Sequence, residues 1–147
     1  MTSTKKRFLW TPEMQDAFED LRRCFMETPV LIKPDFDKQF ILSTDASDHA
    51  LGGMLSQMDE NNEMRPIAFY SHKFSPAKRN YDVFDKELLA ILACLKHWRR
   101  YLEGTSLPVV IYLDHKNLVN FTTNKKRKQR HYRWEEELSR FHFIIKH

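Results

Sequence analysis

Glycine is scarce in this chain, three among 147 residues, so no Gly-rich loop of the kind that wraps phosphates can be written, and collagen-like or linker composition is excluded. Cysteine is scarcer still. Cys24 and Cys94 stand alone among helix-type apolar neighbours, which rules out a disulfide framework and a Cys-x-x-Cys zinc cluster and predicts two reduced core thiols. No apolar run approaches the ~20 residues that span a bilayer, so no membrane partner is expected. The N-terminal MTSTKKRFLW has charge but no apolar leader, so the chain is expected to be intracellular (cytoplasm, virus-like particle or nucleus) and not secreted. What is there is 41% hydrophobic and 30% charged, the balance of a globular chain long enough to bury a core.

The formal charge of +4 is not evenly spread. Residues 125–133, KKRKQRHYR, hold six bases (Lys125, Lys126, Arg127, Lys128, Arg130 and Arg133) and no acid. Without those six, 18 bases remain against 20 acids. Such a cluster reads either as a polyanion-binding patch or as a solvated surface; the adjoining rings of His131, Tyr132 and Trp134 favour nucleic acid.

The apolar pattern changes period along the chain. Thr11-Pro12 can cap a helix whose stripe is Met14, Phe18, Leu21 and Phe25, ending before Pro29. Residues 39–44, 50–57 and 66–72 read as strands joined by short connections, an antiparallel meander. Ser75-Pro76 opens one long helical stretch with Tyr81, Phe84, Leu88, Ile91, Leu95 and Trp98 on its apolar face and Gly104 as its stop. The run 108–113, PVVIYL, is that of a parallel strand buried on both faces. A helix over 134–140 and a strand over 141–146, with His142 facing solvent, complete the order α, β, β, β, α, β, α, β.

Two acids end apolar strands, Asp45 after the first and Asp114 after the fourth, where open α/β sheets place their sites. Glu87 falls on the apolar face of the long helix, while Asp82, Asp85 and Lys86 fall toward its polar side. Three carboxylates gathered together need a hard cation such as Mg²⁺ or Mn²⁺; left apart, they are unrelated turn and surface acids. A pair of such ions can activate a water and stabilise the leaving oxygen of a phosphodiester.

TDASDHALGGMLSQ (44–57), PIAFYSHKFSPAKRNYDVFDKELLAIL (66–92), KHWRRYLEG (96–104), YLDHKNL (112–118) and RHYRWEEELSRFHFIIKH (130–147) resemble the RNase H domain of Ty3/gypsy-type retrotransposon reverse transcriptases. FLWTPEMQDAFEDLRRCFMETPVL (8–31) resembles the segment just before that domain in such polyproteins. The resemblance implies an α/β, RNase H-like fold, a five-stranded mixed sheet flanked by helices. It divides the chain into a helical connector, 1–36, and an RNase H-like domain, 37–147. The implied activity is hydrolysis of the RNA strand of an RNA–DNA hybrid by two Mg²⁺ or Mn²⁺ ions. In that reading Asp45 bridges both ions, and Glu87 and Asp114 hold the ion on the leaving-group side. Ser71, Lys73, Asn80 and Tyr81 match family residues on the substrate side; the last two also stand at a helix start able to receive phosphate, and Tyr81 reads equally as core. The family pattern continues into a C-terminal helix with a fourth catalytic Asp, which is missing after Ile144-Ile145-Lys146-His147. The expectation is a truncated domain with weak or no turnover and an uncovered apolar sheet face open to self-association. Its implied partners are the hybrid and the polymerase domain of the parent polyprotein. The alternative reading is a catalytically incomplete hybrid-binding or polyprotein interaction domain.

Overall fold

The computed structural model describes residues 9–27, 31–113 and 129–146. They form two compact units, Met1–Val30 and Leu31–His147. The first is a single helix, α1 (Pro12–Glu27), in which the Thr11 hydroxyl accepts the Met14 N–H and the ring of Trp10 packs edge-on to Phe18 at 6.1 Å. Among the described residues of this unit no second element covers the stripe, and Met14, Phe18 and Leu21 are exposed. Cys24 is exposed with them, which corrects the expectation of two core thiols.

The second unit is a five-stranded sheet in the order β3-β2-β1-β4-β5, from β1 (Ile41–Ala46), β2 (Ala50–Met58), β3 (Met64–Lys73), β4 (Val109–Tyr112) and β5 (Phe143–Lys146). The meander is antiparallel, with Leu42 opposite Leu55 and Leu55 opposite Ala68; β4 then runs parallel to both β1 and β5. Being an interior strand between β1 and β5 explains β4's unbroken apolar sequence: Val109, Val110 and Ile111 are all buried. The segment before β1 belongs to this unit. The Ile32 N–H donates to the Pro66 carbonyl, and the buried amide of Gln57 donates to the carbonyls of Asp35 and Lys38 while accepting the Asp35 N–H.

The stretch expected as one helix over 75–104 is three: α2 (Pro76–Arg79), α3 (Val83–His97) and α4 (Arg99–Leu102). The break has a local cause. Asp82 is extended (φ −65°, ψ 163°) and its carboxylate accepts the Asp85 N–H at 2.8 Å, so a new helix is capped there. Gly104, at φ +78°, ends the run in the left-handed region. α5 (Gln129–Leu138) begins earlier than the expected residue 134, so Arg130 and Arg133 are helical. It packs against α3, which is therefore covered on two sides, by the sheet and by α5.

Leu42 and Leu55 of the sheet meet Leu88, Ile91 and Leu95 of α3 in the main core, and Trp98 closes its end. The closest approach of helix to sheet is at Gly53, where a Cβ would collide with the Cys94 sulfur. Burial pushes that thiol up to about 12. Gly53→Ala is expected to destabilise the fold by about 1–3 kcal/mol through overpacking. Adding Cys94→Ala should recover more than half of that loss in urea unfolding, and strictly additive losses would refute the contact.

Candidate functional site

Strand alternation fixes which side chains share a face. Leu42 and Ala46 pack toward α3, so Asp45 leaves the sheet on the opposite side. It is exposed at the last turn of β1. Its Oδ1 accepts the Ala46 N–H at 2.8 Å, and its other oxygen has no partner among the described residues. Gly52 is opposite Asp45, and Ser71 opposite Gly52, in one row across three strands about 10 Å wide. A Cβ at Gly52 would touch only the Tyr70 carbonyl at 4.0 Å, so the row between Asp45 and Ser71 is an open floor of backbone. Lys73 lies on the same face, two residues along β3, and both Ser71 and Lys73 are exposed. A glycine pair inside a strand pattern signals such close approach, though sequence reading alone did not single Gly52 out.

Glu87 is half-buried in the first turns of α3. Two contacts bring this helix end to the end of β1. Ala46 packs with Leu89 and Ala90 of α3, and Lys86 Nζ donates to Asp48 Oδ1 at 2.6 Å. The ion pair thus ties the neighbour of Glu87 to the turn that follows Asp45. β4 arrives beside them: Tyr112 pairs with Ser43, two residues before Asp45. Asp114 lies outside the described residues, as do Lys125, Lys126, Arg127 and Lys128.

The donors fit a hard dication. Asp45 offers an exposed carboxylate oxygen at a strand end, whereas the buried Thr44 hydroxyl, without a hydrogen-bond partner among the described residues, faces α3 on the other side of the sheet. Among the described residues no three metal-ligating side chains come together.

The remaining expected contacts are elsewhere. Asp85 and Lys86, read as polar-face residues, are buried: Arg130 and His131 of α5 meet Asp85, and Lys86 reaches Asp48 in the turn after β1. Asp85 is fully enclosed; His131 Nε2 is hydrogen-bonded to its Oδ1 at 2.5 Å and Arg130 forms an ion pair with Oδ2. His131 is consequently a core residue rather than a ring open to bases. Asn80 is exposed at the end of α2, but the start of α3 already holds an anion, the Asp82 carboxylate, and is not a free phosphate seat. Tyr81 packs in the small cluster around Phe74 and Leu89, with the Arg130 guanidinium 4.1 Å from its ring centre. The six expected nucleic-acid contacts that are described therefore fall into two groups. Ser71 and Lys73 share the face of Asp45, whereas Tyr81, Arg130 and Arg133 are on the α3–α5 side, with Asn80 in the connection.

Residues 10–110 match the model of the RNase H-like domain found in reverse transcriptase. The Transposon Tf2-3 polyprotein of Schizosaccharomyces pombe is 45% identical over 141 residues, which is 95% of this chain and 11% of that polyprotein. The chain thus spans about a tenth of the length of this curated relative. Among solved structures, the prototype foamy virus protease–reverse transcriptase aligns with a TM-score of 0.68 at 15% identity, over 97% of this chain and 20% of its own. LC11-RNase H1 in complex with an RNA/DNA hybrid aligns with a TM-score of 0.54 at 12% identity, over 74% of this chain and 84% of its own.

Two outcomes follow from the charges around α3. Asp85→Ala strands Arg130 and His131 and should cost about 3 kcal/mol, the low end for a broken buried pair because Arg130 is partly exposed. Asp82→Ala removes only a cap and should cost about 1 kcal/mol; equal losses in urea melts would refute the contrast. The Lys86 ammonium, hydrogen-bonded to Asp48, holds that carboxyl below the usual carboxylate range. The stability it contributes is complete above the unfolded value, about 3.9, and is lost as pH falls through the lower folded value. Below about pH 4 the melting temperature of Asp48→Asn should therefore fall less steeply than that of the unaltered protein, and identical slopes would discard the pair.

Proposed function

Since the chain belongs to the RNase H-like domains found in reverse transcriptase, of the Ty3/gypsy type, we propose that it hydrolyses the RNA strand of an RNA–DNA hybrid. The observation that carries the reading is the convergence at one end of the sheet. Asp45 is exposed at the end of β1, the first turns of α3 with Glu87 are bound to the following turn through Lys86 and Asp48, and β4 ends beside them.

Asp45, Glu87 and Asp114 would hold two Mg²⁺ or Mn²⁺ ions. Bound there, such ions supply an activated water and charge stabilisation at the leaving oxygen. The chain's own residues do the positioning. The backbone floor at Gly52 admits a sugar–phosphate strand close to Asp45, Ser71 offers a hydroxyl at the far end of that row, and Lys73 offers a charge to the next phosphate. Asn80 would extend this contact line, and Tyr81, Arg130 and Arg133, with the basic residues 125–128, would serve nucleic acid from the helical side. Hydroxyl and backbone contacts of this kind suit recognition of hybrid shape and the 2′-hydroxyl rather than base edges. The parent polymerase domain is the partner that this reading implies.

The test is cleavage of a labelled hybrid in Mg²⁺ and in Mn²⁺. Asp45→Asn and Glu87→Gln should each lower the rate about 100-fold or more, because Lewis-acid stabilisation is worth several kcal/mol and ~1.4 kcal/mol is tenfold. If the unaltered protein, folded by circular dichroism, cuts in neither metal, or if both variants cut at its rate, the proposal fails.

A further inference from the structure

On the side of the sheet away from Asp45, α3 and α5 enclose a groove of about 400 Å³. Its floor is apolar: Leu89, Leu92 and Ala93. Its walls carry two rings, Tyr81 and Trp134, 6.1 Å apart and tilted by 49°. Its rim carries Lys78, Lys96, Arg130 and Arg133. Only part of that charge is matched. Lys96 pairs with Glu137 at 3.2 Å and Arg130 with Asp85, whereas Lys78 and Arg133 have no carboxylate partner among the described residues. Arg130 also has a buried Nε without a hydrogen-bond partner among the described residues.

We infer that this groove is a binding site for single-stranded nucleic acid, separate from the hybrid-facing side of the sheet. Phosphates lie against Lys78, Arg133 and Arg130, and an unpaired base packs between the apolar floor and the rings. Size and wall chemistry select this occupant. A cavity of about 400 Å³ takes a nucleotide-sized group and excludes a duplex or a helix ~10 Å across. An extended peptide would need main-chain partners, and the walls are two helices whose backbone groups are already bonded internally. Cations beside aromatic rings are the means by which proteins hold unpaired strands. The groove's lining on α3 runs from Leu89 to Lys96, about 10 Å at 1.5 Å per residue. The inference does not depend on hydrolysis, because binding here uses neither the ions nor Asp45.

The experiment measures fluorescence anisotropy of labelled oligo-dT and oligo-U, about 12 nucleotides long, with Asp45→Asn protein in EDTA. Both oligonucleotides should bind. Lys78→Gln with Arg133→Gln should weaken binding at least ~5-fold and reduce the slope of log affinity against log salt by about 1.4, two single-strand contacts at roughly 0.7 each. Tyr81→Leu should weaken it about 5- to 100-fold with the slope unchanged, the mark of lost stacking. An oligonucleotide carrying 5-iodouracil should crosslink to Tyr81 or Trp134 in protein whose groove is unaltered. Unchanged affinity in the double variant, crosslinks confined to the Ser71–Lys73 face, or displacement by poly-glutamate as effective as by oligo-dT would each overturn the inference. The last outcome would mark the groove as a seat for an acidic protein segment. Failure here with hybrid cleavage intact leaves the nuclease reading standing, and binding without cleavage leaves the groove standing.

Discussion

A carboxylate with no access to water sets the architecture around it. Asp85 is in the first turn of α3, and its charge is tolerable only because Arg130 and His131 meet it from α5. The pairing fixes how α5 lies on α3, and α3 in turn fills the sheet's inner face through Leu88, Ile91 and Leu95. Every feature with chemical interest hangs from this helix. Lys86 reaches the turn after Asp45; Glu87 follows it; the groove lies along the helix's outer flank. Removing one partner of this set strands the others in a buried place, so the three side chains depend on one another.

The two faces of the sheet have been given different work. On the side of α3 the strands carry Leu42, Leu55, Val109 and Ile111, and the packing is tight enough that Gly53 admits no side chain. On the other side, near the end of β1, the strands carry Asp45, Ser71 and Lys73 around an empty backbone floor. Gly52 and Gly53 are adjacent, and their neighbouring roles differ only because successive residues of a strand look to opposite faces. One glycine lets a helix approach and the other leaves space open to solvent.

Sequence patterning read the sheet well. Apolar runs of the right length gave all five strands, and the continuous run over 108–113 gave a parallel strand buried on both faces. Periodicity served less well on the helices, for two reasons. A cap at Asp82 and a break at Trp98 interrupt an apolar spacing that continues across them, so three helices share one stripe. A helix covered on two sides has no simple polar face, so Asp85 and Lys86 were placed by a rule that did not apply, and His131, read as a ring beside the basic cluster, is in the core. Their partners are 38 to 46 residues away, beyond the reach of local pattern. For the site, strand ends pointed to Asp45 and Asp114 and helical spacing to Glu87, and the family resemblance named the same three. The role of Gly52 and the division of basic and aromatic residues between two faces come only from register.

The order of strands in the sheet has a consequence for how the domain is made. Ala46 meets Leu51 within a hairpin, whereas Ile41 meets Val110 only after the chain has closed a loop of 69 residues. Loop-closure entropy grows as (3/2)RT ln n, so this second pairing costs about 2 kcal/mol more to bring together. Asp45 is present from the first hairpin, but β4, which must stand beside it, arrives only through that long closure. The β1–β2 hairpin can therefore pair before β4 is in place, and the meeting of the Asp45 strand end with β4 waits on closing nearly the whole domain.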